Sequence, residues 1–580
     1  MEKNDLVIRI AGHGGEGVIS TGDFIASACA RAGQEVYTFK TFPAEIKGGY
    51  AMYQVRTSPD RIYNPGDSFD ILCAFNQEAY DLNRHLLVPG TVLVYDQTGD
   101  DFVPEIPPGV VAYPVPMSKM AKELKSYCSK NMVALGALSV LFRINEETLI
   151  AVLSDKFKKK GEEVLAFNLL AFHRGKALVA DCPKKDPWFV PEAGAPKDVI
   201  LISGNAGVGL GALLGKLEFF SAYPITPATE IAKYVATHLP KVGGVLIQAE
   251  DEIASLSQVL GASYAGKRAM TATSGPGLSL MSEMLGMAAM SETPVVVVDV
   301  QRGGPATGMP TKHEQSDLFL AVHGSHGDAP RIVLSVEDVS DCIHRTVDAL
   351  NLADRYQCPV ILLSDGSLAF STQTVPTPKP EEIEIVERKR WDGEGEYQRY
   401  QWSEDGISPM ADPGTPKAMH MATGLEHGPT GAPNYAPANH DRMQRKRFGK
   451  LETVADFIEP VEWDGEGPAD VGIITWGSTI GVVREAVARL RREGIQVKGF
   501  YPKLMVPMPV EHYEAFASDC KKILVPEVNF QGQLSYMIRA ETTITPIPFT
   551  QCGGVPFTPL QIMNKVKENL GWDVSLPQKK

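Results

Sequence analysis

Short apolar runs that end in glycine-bearing or polar loops, each followed by a stretch of helical periodicity, recur along the chain. Leu6 to Ile10 (LVIRI) enters the turn Gly12-His13-Gly14-Gly15-Glu16-Gly17, and GDFIASACARAG then reads as a helix stopped by Gly33. VYTF, YAMYQVRT, DILCAF and TVLVYD follow as strands, with NMVALGALSVLF and EEVLAFNLLAFHRGKAL as helices. This βαβ succession predicts a mostly parallel sheet covered by helices. It extends to about Ala180, and the Pro/Gly-bearing stretch at 186–197 (DPWFVPEAGAPK) reads as a linker.

A second segment repeats the scheme from DVILISGNAGVGLG onward. Its later runs, GVLIQAE, AMTATS and PVVVVDVQ, each stop where polar or glycine residues begin, and in open α/β sheets chemistry sits at those strand ends. Between about Pro376 and Leu451 the text turns rich in Pro, Gly and charge and loses its periodicity, so it reads as disordered or as a functional covering loop. DVGIITWGST, the helix TIGVVREAVARLRREG, VKGFYPKL and CKKILVPEVN then return to α/β. The expected fold class is α/β, with three α/β units at 1–190, 198–375 and 463–580 and an irregular insert at 376–462.

The length of 580 residues matches three or four domains at about 150 residues each. With 56 Lys+Arg against 70 Asp+Glu, the formal charge of −14 disfavours binding to nucleic acid or an anionic membrane, since either needs a basic face. The eight cysteines are spread singly with no CxxC, unlike the tight thiolate groups of zinc ribbons and iron–sulfur sites. No apolar stretch reaches the ~18 residues of a membrane span, and the first residues enter a strand instead of a signal-like apolar core. A cytoplasmic protein with reduced, mostly buried thiols is expected.

Several residues could carry chemistry. Gly12, Gly14, Gly15 and Gly17 lie between a strand and a helix, where backbone N–H groups can hold a phosphate; Glu35 is a loose candidate for a ribose contact, and a tight turn or subunit contact is the plainer alternative. In Tyr223-Pro224-Ile225-Thr226-Pro227-Ala228-Thr229-Glu230, two prolines bracket a threonine whose hydroxyl could bind a carboxylate; equally, Thr226 or Thr229 could cap the helix that follows. Glu250-Asp251-Glu252 adjoins an apolar helix, as a proton-exchanging carboxylate or as a solvated helix start. Arg302 follows PVVVVDV and precedes glycines, which suits bidentate anion binding, and Thr307, Thr311 and Lys312 share its loop. Thr273-Ser274-Gly275-Pro276-Gly277 closes the preceding strand. His420, His427 and His440 have no metal-ligand spacing and read as solvated loop histidines; no metal site is expected on this chain.

Together these residues resemble the 2-oxoacid:ferredoxin oxidoreductases, in the form of an α subunit with a γ subunit fused ahead of it. The γ part resembles the family through Gly12-x-Gly14-Gly15-x-Gly17-Val18, Lys47-Gly48-Gly49 and Asn131-Met132-Val133. The α part is similar through Gly204-Asn205, YPITPATE, TSGPG, VQRGGPATGMPTKHEQSDL, Trp476-Gly477-Ser478 and EVNFQGQL. Two departures stand out: Ala206 where a Glu usually follows the Asn, and Gly428 where relatives often carry Asp.

The resemblance implies a γ-type unit, a thiamine-diphosphate pyrimidine-type domain and a transketolase C-terminal-like domain. It implies thiamine diphosphate shared with a β subunit that carries Mg²⁺ and a [4Fe–4S] cluster, coenzyme A as co-substrate, ferredoxin as electron partner, and a dimer of αβ heterodimers. The spacing Glu252-x-Ala254-x₆-Gly261 is shared with transketolase-like pyrimidine domains, so Glu252 is the implied catalytic residue, with Tyr223, Pro224 and Ile225 also against the cofactor. Thr226, Arg302 and Thr311 are the implied substrate residues. The expected activity interconverts 2-oxoglutarate, CoA and oxidised ferredoxin with succinyl-CoA, CO₂ and reduced ferredoxin; pyruvate and branched-chain 2-oxoacids are alternative substrates. An α/β binding or regulatory protein is the non-enzyme alternative, to be told apart by co-purification of a brown complex with a second chain.

Overall fold

The computed structural model describes residues 4–43, 48–98, 102–126, 129–182, 190 and 198–572. Lys47 and all of the 186–197 stretch except Val190 lie outside them. The chain divides into two compact units, Met1–Ile202 with Phe370–Thr377, and Ser203–Ala369 with Pro378–Lys580.

The first unit is built on an eight-stranded sheet in the order Val111–Val115, Val92–Asp96, Ile71–Ala74, Leu6–His13, Tyr50–Ser58, Glu35–Thr41, Thr372–Pro376, Val199–Ser203. The first four are mutually parallel, but Tyr50–Ser58 runs antiparallel to Leu6–His13 and to Glu35–Thr41, which is itself antiparallel to Thr372–Pro376. The sheet is therefore mixed, not mostly parallel. The link from Glu35–Thr41 to Tyr50–Ser58 is too short for the dozen-residue crossover that parallel neighbours need, so those strands pair as a hairpin. Helices Lys130–Leu141 and Glu162–Leu178 touch backbone to backbone: a Cβ on Gly136 would meet the Phe172 carbonyl at 2.0 Å, and one on Gly175 the Val133 carbonyl at 2.0 Å.

In the second unit a seven-stranded sheet runs Leu504–Val506, Ile332–Ser335, Pro359–Asp365, Val295–Gln301, Ala269–Thr273, Phe219–Ala222, Val245–Gln248. The run VVVVDVQ is buried at every position because helices cover both faces: Val296, Val298 and Val300 join one core, Val295 and Val297 the other. A five-stranded sheet, Val461–Asp464, Val497–Pro502, Val471–Ile474, Ile523–Glu527, Ile547–Thr550, is parallel except for its first strand. Leu504–Val506 leaves that sheet and pairs antiparallel with Ile332–Ser335 in the larger one. At the crossing the ammonium of buried Lys503 lies 2.8 Å from Glu337 and 3.0 Å from Asp341.

Residues 378–436 carry little regular structure, and Pro437–Gly449 is helical. Buried arginines tie the segment down: Arg388 lies 2.7 Å from Asp354 and donates to the Ser263 carbonyl at 2.7 Å, and Arg399 donates to the Glu292 carbonyl at 2.5 Å. Among the described residues no helix is long and apolar enough to cross a membrane.

Candidate functional site

The parallel register of Phe219–Ala222, Ala269–Thr273, Val295–Gln301 and Pro359–Asp365 delivers their following loops to one end of the sheet. Tyr223 to Thr226, Ser274 to Gly277, and Arg302 gather there, joined by the start of helix Glu252–Tyr264. The three consecutive acids divide their roles by geometry. Glu250 is exposed. Asp251 caps the helix, its carboxylate accepting the Ala254 N–H at 2.7 Å. Glu252 is buried at 6% exposure and, among the described residues, has no hydrogen-bond or ion-pair partner on its carboxylate. Gly277 makes room for it, since a Cβ there would lie 1.9 Å from Thr273 Oγ1, 2.6 Å from Glu252 Cγ and 2.8 Å from Glu252 Oε1.

The helix-capping alternative for the threonines does not hold. The N-cap of helix Thr229–His238 is Ala228, with no side-chain cap. The 223–227 loop is held from outside: Asn205 donates through Nδ2 to the Pro227 carbonyl at 2.8 Å, and Arg302 Nη1 to the Thr226 carbonyl at 2.5 Å. Tyr223 and Pro224 are exposed, and Ile225 and Thr226 half-buried. Arg302 is itself buried, with its Nε unpartnered among the described residues. Its loop folds back on it, Gly303 N–H donating to the Lys312 carbonyl at 3.2 Å, which brings half-buried Thr311 alongside.

Two acids that sequence reasoning passed over, Asp299 and Asp317, lie near enough for their charges to act on the same guanidinium, although neither forms an ion pair with it among the described residues. Asp299, fully buried, has no partner on either oxygen among the described residues. Burial and neighbouring Asp317 push its carboxyl well above the usual range, against the pull of Arg302. Desolvation pushes the half-buried Asp317 carboxyl above the usual range, with Arg302 opposing and Glu314 adding. The available signal was a lone acid inside an otherwise apolar strand, where an unpaired charge is costly.

The loop after Arg302 is clamped by residues more than 150 positions away. Gln315 donates to the Trp476 carbonyl at 3.2 Å and accepts from Thr479 at 3.0 Å, and its own carbonyl accepts from Asn529 at 3.1 Å. Gln533 donates to the Ser316 carbonyl at 2.8 Å and accepts the Phe319 N–H at 2.9 Å. The WGST and EVNFQGQL runs are thus the support of this loop.

In the first unit the glycine-rich turn already contains an anion of its own. Glu16 accepts the His13 N–H at 2.7 Å, Asn76 Nδ2 at 2.7 Å and the Lys130 ammonium at 2.9 Å. Lys130 also lies 3.0 Å from Asp96 and donates to the Phe75 carbonyl at 2.7 Å. Glu16 thus takes donors that a phosphate would use, and Glu35 accepts from Thr374 at 2.7 Å, which favours the plainer alternatives, a tight βα turn or a subunit contact. Of the loop histidines, His440 is exposed as expected, although it pairs with an acid, and His427 departs from expectation. His427 is fully buried against the Tyr400 ring at 4.0 Å, while His440 lies 2.5 Å from Glu426, which also binds Arg447 at 2.6 Å.

Three family descriptions cover most of the chain. Residues 210–446 match pyruvate flavodoxin/ferredoxin oxidoreductase, thiamine diP-bdg; residues 7–178 match pyruvate ferredoxin/flavodoxin oxidoreductase; residues 469–562 match pyruvate:ferredoxin oxidoreductase core domain II. The 2-oxoglutarate oxidoreductase subunit KorA of Mycobacterium tuberculosis is 32% identical over 95% of this chain and 90% of its own length. The 2-oxoglutarate synthase subunit KorA of Methanocaldococcus jannaschii is 40% identical over 59% of this chain and 91% of its own. A solved 2-oxoglutarate:ferredoxin oxidoreductase from Magnetococcus marinus, with 2-oxoglutarate, coenzyme A and succinyl-CoA bound, is 71% identical, covering 98% of this chain and 100% of that one at a TM-score of 0.96. The chain belongs to the 2-oxoacid:ferredoxin oxidoreductase family.

Proposed function

We propose that the chain is the α subunit, with a γ-type unit fused to it, of a 2-oxoglutarate:ferredoxin oxidoreductase. The enzyme interconverts 2-oxoglutarate, CoA and oxidised ferredoxin with succinyl-CoA, CO₂ and reduced ferredoxin. The observation that carries the reading is the 71% identity along nearly the whole of a chain solved with 2-oxoglutarate and succinyl-CoA. A binding or regulatory protein without activity is less well supported, because Arg302 is buried with its Nε unpartnered among the described residues and the Glu252 carboxylate is buried beyond the helix cap that Asp251 supplies.

The residues fit thiamine diphosphate. A buried carboxylate with no donor calls for one, and a ring nitrogen carrying a proton meets the need at Glu252, with Tyr223, Pro224 and Ile225 forming the adjoining wall. When bound, the cofactor supplies the electron sink that decarboxylation of a 2-oxoacid requires. Glu252 holds or returns a proton at that nitrogen, and its burial keeps water from competing for it. Arg302 offers its unpartnered Nε to the substrate carboxylate while Nη1 stays anchored on the Thr226 carbonyl, so the guanidinium is oriented before the substrate arrives. The Thr226 hydroxyl and Thr311 complete the substrate side.

The remaining parts of the proposal lie with a β subunit that carries the diphosphate end, Mg²⁺ and a [4Fe–4S] cluster, in a dimer of αβ heterodimers in the cytoplasm. The α-subunit names of relatives and the singly spaced cysteines support that division. Viologen or ferredoxin reduction by the purified complex, given CoA and a panel of 2-oxoacids, is expected to be fastest with 2-oxoglutarate. Preference for pyruvate or branched-chain acids would replace the substrate assignment, and no reduction with any of them would refute the enzyme.

A further inference from the structure

Three consecutive carbonyls of the 223–227 loop each accept a hydrogen bond. Ile225 accepts the Thr229 N–H at 3.0 Å, Thr226 accepts Arg302 Nη1 at 2.5 Å, and Pro227 accepts Asn205 Nδ2 at 2.8 Å. The half-buried Thr226 hydroxyl makes no hydrogen bond among the described residues. The backbone is thus fixed while the side-chain group suited to a ligand stays open. Asn205 is held independently of this loop. It lies in the first turn of helix Gly204–Leu214, whose N-cap Ser203 accepts the Ala206 N–H at 3.4 Å. The helix sits against neighbouring backbone: a Cβ on Gly204 would meet the Leu368 carbonyl at 2.3 Å, and one on Gly211 the Ile343 carbonyl at 2.2 Å. Ala206, in place of the family's usual Glu, brings no hydrogen-bonding side chain, which leaves Asn205 to reach the loop from this turn.

Asn205 is buried at 1% exposure, and its Oδ1 takes no donor among the described residues. A buried amide with an orphan acceptor is destabilising, so filling space is a poor reason for its presence; an apolar side chain would do that without the penalty. We infer that Asn205 is a positioning residue for substrate capture, acting through the Pro227 carbonyl to hold the Thr226 hydroxyl and the Thr226 carbonyl on which Arg302 is anchored. The inference rests on the reading of Thr226 and Arg302 as ligands of the substrate carboxylate. Without the Nδ2 bond the Pro227 carbonyl is free to turn, and the adjoining Thr226 peptide turns with it. Hydroxyl and guanidinium then no longer meet one carboxylate from fixed directions.

The test compares Asn205→Ala and Asn205→Val with wild type on the αβ complex, reading KM for 2-oxoglutarate, KM for CoA and kcat, with a thermal melt to show that each variant is folded. KM for 2-oxoglutarate should rise about three- to tenfold, the effect of losing one oriented hydrogen bond. Over the same variants kcat and KM for CoA should stay within about twofold. A double-mutant cycle with Thr226→Val supplies a readout that a merely structural role would not move: Asn205→Ala should raise KM clearly less in the Thr226→Val enzyme than in wild type, because the hydroxyl it positions is gone. An unaltered KM for 2-oxoglutarate, equal losses for 2-oxoglutarate and CoA, or effects that simply multiply in the cycle would overturn the inference. Failure of both variants to assemble would make Asn205 a folding residue and overturn it too. Arg302→Ala and Thr226→Val separate the two levels: unaltered KM in both sinks the carboxylate assignment and this inference together. Raised KM in those two with unaltered Asn205 variants sinks only this one.

Discussion

A methyl group added at Gly277 tests the placement of Glu252 without touching its chemistry. The new Cβ would come within 1.9 Å of Thr273 Oγ1, 2.6 Å of Glu252 Cγ and 2.8 Å of Glu252 Oε1. Turning fully buried Thr273 about χ1 could relieve its own clash, but the contacts with Glu252 remain, so Glu252 has to move as well. Restoring ordinary contact of about 3.4 Å or more displaces the carboxylate by close to 1 Å, and a misplacement of that size costs about 10²-fold in rate. Overpacking adds about 1–3 kcal/mol of destabilisation. The assay is kcat for viologen reduction by the αβ complex with 2-oxoglutarate and CoA, beside a thermal melt. Gly277→Ala is expected to lose about 10²-fold in kcat while remaining folded. Gly261→Ala is the control, because a Cβ at Gly261 meets nothing within 4 Å; on a helix it should stabilise by up to ~1 kcal/mol and leave kcat within about threefold. A Gly277→Ala enzyme within threefold of wild type would show that Glu252 does not need this position.

Other variants probe chemistry and packing separately. Glu252→Gln should abolish turnover while leaving αβ assembly intact by size-exclusion chromatography; near-normal turnover would remove its proton-holding role. Arg302→Ala should chiefly raise KM for the 2-oxoacid, and a fall in kcat alone would assign Arg302 to the chemical step instead. Glu292, fully buried, binds Lys446 at 2.6 Å and Lys450 at 2.9 Å and holds its own carboxyl far below the usual range. Glu292→Gln strands those cations and should cost about 3–5 kcal/mol in denaturant melts at pH 7, and a loss under about 1 kcal/mol would refute the argument. Although burial opposes it, hydrogen bonds from Arg447 and His440 hold Glu426 at about 2. Because that value is depressed, its stabilisation is complete above its unfolded value of about 4.3 and is lost as pH falls toward 2. The melting difference between wild type and Glu426→Gln should therefore close over that range; a constant gap would contradict it.

The carriers of local structure were readable in one dimension. Strand, turn and helix in LVIRIAGHGGEG and in PVVVVDVQRGG follow from apolar runs broken by glycine, and the long matching motifs point to the family before any contact is known. The mostly parallel expectation failed in the first unit because which strands lie side by side is set by the fold; once Glu35–Thr41 and Tyr50–Ser58 are neighbours, their short link makes them antiparallel. Asp251 and Glu252 look alike in sequence, and only the helix geometry makes one a cap and buries the other.

Sequence by itself therefore determined the α/β succession, the family and the strand-end residues Thr226, Glu252 and Arg302, since these depend on spacing along one chain. Tertiary structure alone decided that Glu16 fills the first glycine turn, that Gln315 is gripped by Asn529 and Thr479, and that Asp299 is buried with neither oxygen partnered among the described residues. The physical reason is that burial and Coulombic interaction depend on distance through the fold, and the groups that face one another here lie on strands and loops whose order in space is not their order in the chain.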